Sequence, residues 1–333
     1  MVTIRDIADR LGLAMSTVSK GLNGADDISA ETRQLVLDTA VEMGYNLKKI
    51  RRNPTRKVCV FVEDSNMEFE TIEKFGYDIV NGFKQAAADR NWEAVAEPST
   101  LSVRTLEKYD SYMLKHGYSG AFLLGFTLHD DWIKQLQKTT VPTVLLDNYL
   151  EGNEKVGYVG TDSHEGIAMA VRHLASLGHK KIAFLNGSKN SMVSEERNVA
   201  FRDAIKECGL TIYEPLIAYG YYVPNCAKNF VQGFMENGAT AIVCASDLIA
   251  SGVLNELNRL GKSVPGDVSV VGYDDLPMAS ALTPSLTTIR QDRNNLGKSA
   301  MFMLDGLIRD VPMSKMLLRA RLIERDSTGK CRE

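Results

Sequence analysis

The chain has 333 residues, enough for roughly two or three domains and a sizeable buried core, with 44% hydrophobic and 24% charged residues and a formal charge of −3. No apolar run approaches the ~20 residues that cross a bilayer, and the N-terminus lacks the apolar core of a signal peptide. The five cysteines are scattered with no CxxC, so a membrane protein or a secreted disulfide framework is unsupported and a reducing, cytoplasmic setting is expected.

The charge is unevenly spread. Residues 1–57 carry ten Lys/Arg against seven Asp/Glu, and the remainder carries 29 against 35. The first segment opens with Thr-Ile-Arg-Asp-Ile-Ala. Ile4, Ile7, Ala8 and Leu11 fall at i, i+3, i+4 and i+7, one apolar stripe of a helix. Gly12 can take the positive φ of a tight turn. A second short helix follows, with Val18 and Leu22 inward and Met15, Ser16, Ser19, Lys20 and Asn23 on the other face. Ser29 is the expected N-cap of a third helix whose buried face is Leu35, Val36, Ala40 and Met43. Such a helix, turn and helix can place one helix in the DNA major groove. The alternative is a three-helix bundle with no nucleic-acid partner. Against it stands an exposed second-helix face with no acidic residue from Leu11 to Ala25. Residues 46–57 add six basic residues and no acidic one, which fits a phosphate-contacting linker better than a merely solvated one.

From residue 57 strands and helices alternate. Buried parallel strands are expected at Lys57–Val62, Gly120–Leu124, Thr143–Leu146, Lys181–Leu185, Ala241–Ala245 and Ser269–Val271. Helices are expected at Ile79–Asn91, Val103–His116, Asp131–Lys138, Glu165–Leu177, Arg197–Glu207, Ala227–Asn237 and Leu248–Leu260. The pattern implies α/β, doubly wound parallel sheets whose ligands bind outside the carboxyl ends of strands. Asp147-Asn148, Asn186-Gly187, Ser246-Asp247 and Asp274-Asp275 each follow a strand, and Arg197 opens a helix. Carboxylates, amides and one arginine around a cleft suit sugar hydroxyls, which both donate and accept. The same residues also serve as caps and turn formers. Enzyme frames are missing: there is no G-x-S-x-G elbow, no P-loop, no strand–GxGxxG–helix fingerprint and no HExxH, so neither an enzyme, a metal site nor a cofactor is expected.

Taken together, Thr-Ile-Arg-Asp-Ile-Ala (3–8), Ser-Thr-Val-Ser-Lys (16–20), Leu-Asn-Gly (22–24), Leu-Gly-His-Lys-Lys-Ile-Ala-Phe-Leu-Asn-Gly (177–187), Val-Pro-Gly-Asp-Val-Ser-Val-Val-Gly-Tyr-Asp-Asp (264–275), Pro-Ser-Leu-Thr-Thr-Ile-Arg-Gln (284–291) and Leu-Ile-Glu-Arg-Asp-Ser-Thr (322–328) resemble the LacI/GalR family of bacterial transcription regulators over essentially the whole chain. The resemblance implies an all-α helix-turn-helix headpiece (1–45), a basic hinge (46–57) and an effector-binding and dimerisation domain (58–333). That domain would have two Rossmann-like lobes of the periplasmic-binding-protein-like type. Lobe one would hold about 58–160 and 290–320, and lobe two about 161–289 and 321–333.

On the family pattern Met15, Ser16 and Lys20 face base edges, and Thr3, Ser19, Asn23, Ser29, Thr32 and Tyr45 hold phosphates. Leu47, Lys48, Lys49, Ile50 and Arg51 form the hinge. Asp147, Arg197, Tyr222, Asp247, Asp274 and Gln291 grip the effector, with Tyr221 the alternative to Tyr222. The implied partners are a pseudo-palindromic double-stranded operator, a second copy of the chain and a small polar effector, with no membrane. The expected sense is repression. A carbohydrate or derivative is the favoured effector, and a purine or nucleoside the alternative. A solute-binding protein without DNA function is a further alternative, opposed by the N-terminal helices.

Several positions depart from the family. Ala14 replaces a capping serine, at a cost of about 1 kcal/mol. Gly21 interrupts the recognition helix at up to about 1 kcal/mol relative to alanine. Pro54 falls near the place of the hinge leucine that wedges into the minor groove, leaving Leu47 and Ile50 as substitutes. Ala200 stands for a glycine, and the Glu63–Phe75 stretch, with five acidic residues, lacks an Asn-Pro-Phe-Phe element. The chain stops soon after Thr328 without a tetramerising helix, so a homodimer is expected.

Overall fold

The computed structural model describes residues 2–25, 27–45, 56–63, 75–127 and 129–332. The hinge positions Leu47, Lys48, Lys49, Ile50 and Arg51, and most of the acidic stretch after Glu63, lie outside these residues.

Three helices form the N-terminal unit: α1 (Ile4–Leu11), α2 (Met15–Asn23) and α3 (Ala30–Glu42). Thr3 and Asp6 cap α1 reciprocally, and Gly12 ends it at φ 65°. Ala14 makes no side-chain cap for α2, whereas Ser29 accepts from Thr32 N at 3.2 Å to start α3. Ile7, Ala8, Val18, Leu22, Val36, Leu37, Ala40 and Tyr45 close the core. Leu35, expected inside, is 52% exposed, and Leu37 takes the core position. The cause is the roll of α3, which turns Val36, Leu37 and Ala40 toward α1 and α2. Gly21 has a packing reason: a Cβ there would lie 3.0 Å from Val36 Cγ1, so α2 and α3 approach closely only without one.

Lobe one starts with β1 (Lys57–Val62), α4 (Phe75–Ala88), β2 (Glu93–Pro98), α5 (Leu101–Leu106), α6 (Tyr109–Lys115), β3 (Ala121–Leu124), α7 (Asp131–Gln135), β4 (Thr143–Leu146) and β5 (Val156–Thr161). The chain then enters lobe two with α8 (Ser163–Ser176), β6 (Ile182–Asn186), α9 (Met192–Glu207), β7 (Ile217–Tyr219), α10 (Val231–Glu236), β8 (Ala241–Cys244), α11 (Asp247–Arg259), β9 (Ser269–Asp274), α12 (Pro277–Ala281) and β10 (Thr287–Arg290). It returns to lobe one for α13 (Arg293–Ile308) and β11 (Lys315–Leu318), and ends in lobe two with β12 (Arg321–Ile323).

The first sheet runs β11-β5-β4-β3-β1-β2, all parallel. The second runs β12-β10-β9-β8-β6-β7, parallel except for antiparallel β12. In each sheet the order reverses beside the first strand, which places a crevice at the carboxyl ends of the neighbouring strands. Apolar residues on both faces bury the strands. The α4 and α13 backbones touch: a Cβ on Gly297 would lie 1.9 Å from Ile79 O, and one on Gly82 would lie 2.0 Å from Asn294 O.

Two expected helices are broken. The stretch 103–116 splits at Glu107–Lys108, because the Glu107 carbonyl takes the Trp132 indole N–H (2.9 Å) and Gln135 accepts from Tyr109 N (2.8 Å). The stretch 227–237 is a 3₁₀ turn at Pro224–Asn229 followed by α10. Arg197 lies in the second turn of α9 and does not open it. The N-terminal unit rests on lobe one, α3 against α6. Ser111 donates to Asp38 (2.5 Å), Lys108 pairs with Glu42 (2.6 Å), Arg33 donates to Lys115 O (3.2 Å), and Leu114 packs on the three-helix core.

Candidate functional site

A cleft of about 600 Å³ lies between the two crevices. Much of its wall comes from strand ends: Val62 closing β1 and Glu63 after it, Gly125 and Phe126 after β3, Asp147 and Asn148 after β4, Ser188 and Ser191 after β6, Ser246 after β8, Asp274 closing β9 and Gln291 after β10. Arg197 and Tyr222 also line it. This mixture of a mainly apolar lining with a few convergent polar groups is that of a small-molecule site.

Arg197 is buried and anchored. Its Nη1 donates to Ala245 O at 2.6 Å, and its guanidinium lies 3.9 Å from the Tyr273 ring centroid. Burial works against its charge, but Tyr273, Tyr222, Asp274 and Asp147 around it more than offset that and raise its pKa. Asp147, in the left-handed region at φ 54°, is enclosed by the wall, and burial pushes its carboxyl up to about 6 against the pull of Arg197. Burial likewise raises Asp274 to about 6, opposed by Arg197 and by Gln291, whose Nε2 donates to Asp274 Oδ1 at 2.6 Å. Among the described residues Gln291 Oε1 and Arg197 Nε are buried without a partner. The cleft therefore offers carboxylates and an amide oxygen that accept, and one cation that donates, around a space the size of a small polyol.

Tyr222 stands over the backbone at Gly187, where a Cβ would meet its ring at 2.2 Å, and its hydroxyl pairs with Ser194 Oγ at 2.8 Å. Tyr221 is 69% exposed and faces a separate small groove, so of the two alternatives Tyr222 is the one in the cleft.

Asp247 requires a correction. It is fully buried outside the cleft wall, with Oδ1 accepting from Thr288 (2.6 Å) and Oδ2 from Leu276 N (2.7 Å). Both oxygens are spent on holding the segment after β9, and burial drives its pKa well up. Its neighbour Ser246 takes the place on the cleft wall while capping α11. Asn186 is structural for the same reason: it bonds Ser194 O and Gly187 N.

Sequence reasoning did not single out Glu63, Phe126, Leu276 or Met278, all on the wall. Glu63 is tied to buried Arg104, 41 residues along the chain, at 3.0 Å, and Arg104 also holds Asp130, a further 26 residues on, at 2.9 Å. Among the described residues there is no group of three or more His, Cys, Asp or Glu that could hold a metal ion, and no helix is long and apolar enough to cross a membrane. His179, buried between Thr240 Oγ1 (2.9 Å) and Ser269 Oγ (3.0 Å), also faces Gly329 O (3.1 Å) and pins the C-terminal segment.

On the N-terminal unit, Met15 (56% exposed), Ser16 and Lys20 share one open face of α2, and Lys20 is paired with Asp27. Ser19 and Asn23 are linked to each other on the same helix, with Asn23 Nδ2 donating to Ser19 O at 2.7 Å. Thr3, Ser29 and Thr32 cluster at helix N-termini, where backbone N–H groups point outward. The Tyr45 ring is packed into the three-helix core, which differs from its expected place on the phosphate-facing surface.

Residues 3–46 match the family model of bacterial regulatory proteins, lacI family, and residues 171–328 match a periplasmic binding protein-like domain. The HTH-type transcriptional repressor CytR of Escherichia coli (strain K12) is 27% identical over 334 residues, covering 98% of this chain and 96% of CytR. A solved transcriptional regulator CelR–cellobiose complex matches with a TM-score of 0.75 and 27% identity, over 98% of this chain and 100% of that one. The lac repressor dimer bound to operator and the anti-inducer ONPF shares the fold, with a TM-score of 0.69 at 24% identity over 98% and 99% of the two chains.

Proposed function

A lacI-family helix-turn-helix domain joined to a periplasmic-binding-protein-like domain makes this chain a member of the LacI family of bacterial transcription regulators, not an enzyme, and from that premise we propose that it is a repressor whose operator affinity is set by a small neutral sugar or sugar derivative held in the cleft. The observation that carries the reading is the convergence of Asp147, Arg197, Tyr222, Asp274 and Gln291 on one cleft between two crevices, in a chain whose α2 leaves Met15, Ser16 and Lys20 open to a DNA groove.

Each role has a physical basis. Asp147, Asp274 and Gln291 accept from hydroxyls, Arg197 donates to a ring or hydroxyl oxygen, and Tyr222 offers a flat face to a sugar ring. Lys20 can donate to guanine O6/N7, worth about 1–3 kcal/mol of discrimination, once it leaves Asp27. Two copies would present two α2 helices to the half-sites of a pseudo-palindrome. The ligand acts only through its unequal affinity for the open and closed arrangements of the lobes, which differ in where they hold the two headpieces. The cellobiose in the CelR complex supports a sugar as the ligand class for this chain too.

The test is thermal unfolding of the full chain against neutral sugars, sugar phosphates, sugar acids, nucleosides and nucleobases. A ligand at about 100 times its Kd stabilises by ~2.7 kcal/mol. A rise with a neutral sugar that is lost in Arg197→Met supports the reading. A rise with a nucleoside or an anionic sugar alone overturns the ligand class.

A further inference from the structure

Between β10 and α13 the chain passes from lobe two to lobe one, and the first residue of α13 is an arginine that bonds to both. Arg293 is 8% exposed. Its Nη1 donates to the backbone carbonyls of Asp274 (3.0 Å) and Asp275 (3.2 Å), at the carboxyl end of β9 in lobe two. Its Nη2 and Nε donate to one carboxylate oxygen of Asp78, in α4 of lobe one, at 2.9 and 3.2 Å. The planar guanidinium, with donors fixed in a fork, can hold both partners in one geometry, which a lysine cannot do.

We propose that Arg293 is the positioning residue through which the state of the cleft at Asp274 reaches α4 of lobe one. This role, which rests on reading the cleft as the effector site, has support at both ends of the arginine. At the lobe-two end the backbone is strained, with Asp274 at φ 116° and Asp275 at φ 52°. Such residues persist only where their surroundings over-determine them. Here the Asp275 carboxylate is held by Arg290 (2.6 Å) and Arg325 (2.7 Å), and the Asp274 carboxylate by Gln291 (2.6 Å). A ligand hydroxyl that bonds to Asp274 competes with Gln291 for that carboxylate and shifts a strand end whose carbonyls Arg293 grips.

At the lobe-one end there is no slack. Glycines 82 and 297 let α4 and α13 touch backbone to backbone, so the two helices move as one body. A displacement of the β9 end is therefore met by Asp78 and α4 together. The alternative is to break the charge-assisted bond of Arg293, whose own guanidinium would stay desolvated while the one-third-exposed Asp78 carboxylate turned to water.

Hydrogen exchange on the full chain tests this without ligand or DNA, using Asp274→Asn as the perturbation in the cleft. In the native background Asp274→Asn should change amide exchange across 75–88 by roughly tenfold or more, the scale of one altered charge-assisted hydrogen bond. With Arg293→Met the change in 75–88 should vanish while that around β9 remains, and Arg293→Lys should keep a part of it. An arginine that served stability alone would alter α4 exchange equally with or without Asp274→Asn. Should Arg293→Met fail to fold, Asp78→Ala removes the acceptor on α4 with Arg293 still on the strand carbonyls, and the same loss is expected. A change in 75–88 that survives both substitutions, or none in the native background, overturns the proposal. Transmission in a chain that none of the sugars, sugar phosphates, sugar acids, nucleosides or nucleobases stabilises would overturn the effector reading and leave the role of Arg293 standing.

Discussion

At Asp147 and Asp274 the physics of burial decides how the cleft responds to pH. Both carboxyls are raised to about 6 from 3.8, so the folded chain holds their protons where the unfolded chain has lost them. The associated stability is present below the unfolded value and is lost as pH rises through the folded value, so between about pH 4 and pH 7 these two groups make the protein less stable. Asp147→Asn and Asp274→Asn should each flatten that part of a plot of melting temperature against pH. A slope unchanged in both variants would mean that neither group titrates as its surroundings dictate. Of the residues that line the cleft, Asp147, Asn148, Ser246 and Asp274 were legible from the chain, because a strand end in a doubly wound sheet points at the crevice, whereas Glu63 and Phe126, which also follow strands, were not singled out. Asp247 was the miss in the other direction. A residue after β8 was correctly placed near the cleft, but whether residue 246 or 247 faces it depends on where α11 starts and on Leu276 and Thr288 drawing in the carboxylate.

Among the elements, glycine separates two physical cases. Gly297 and Gly82 sit where α13 and α4 touch, with carbonyl oxygens 1.9 and 2.0 Å from where a Cβ would go. Gly297→Ala and Gly82→Ala should therefore each cost about 1–3 kcal/mol from overpacking. Gly12 has nothing within 4 Å of that position and only its φ of 65° to protect it, so Gly12→Ala should cost about 1 kcal/mol from conformation. Urea unfolding of the three variants checks the order; a Gly297→Ala chain as stable as the parent would mean the helices slide apart freely. The elements that the sequence pattern located best were those with a strong local signal. Lys57–Val62 and Thr143–Leu146 are strands over the expected residues. Strands β7 and β12 have three residues each, β11 opens on Lys315, and β2 reads Glu-Ala-Val-Ala-Glu-Pro without a run of large apolar side chains, so their pairing is decided by neighbours far along the chain. The split at Glu107 is likewise made by Trp132 and Gln135, which no local window contains.

For the whole molecule, the division of labour predicts separable parts. The three-helix unit has its own core and touches lobe one through α3 and α6, with polar contacts and Leu114. A chain lacking residues 1–57 should keep ligand stabilisation of the two lobes in calorimetry and lose binding to duplex DNA in a mobility-shift assay. Loss of ligand stabilisation on that deletion would mean that the lobes depend on the headpiece for their closed form. The interface between α3 and α6 also gives lobe one a direct hold on the orientation of α2, in addition to the covalent path through residues 46–55.

What the sequence determined by itself through local periodicity is three short helices with a cationic exposed face, then alternating strands and helices with polar residues at strand ends. These properties need only the spacing of apolar side chains and the turn chemistry between them; the family was marked separately, by the resemblance of motifs along the whole chain. Only the tertiary structure decided that Tyr222 and not Tyr221 lines the cleft, that Asp247 supports the wall from behind, that Leu37 and not Leu35 is buried, and that Arg293 bridges the lobes. Each of those outcomes depends on the roll of a helix or the meeting of groups 17 to 215 residues apart, from Gln291 with Asp274 to Arg293 with Asp78. Such meetings are fixed by how two layered lobes pack and cross, and no run of neighbouring residues encodes them alone.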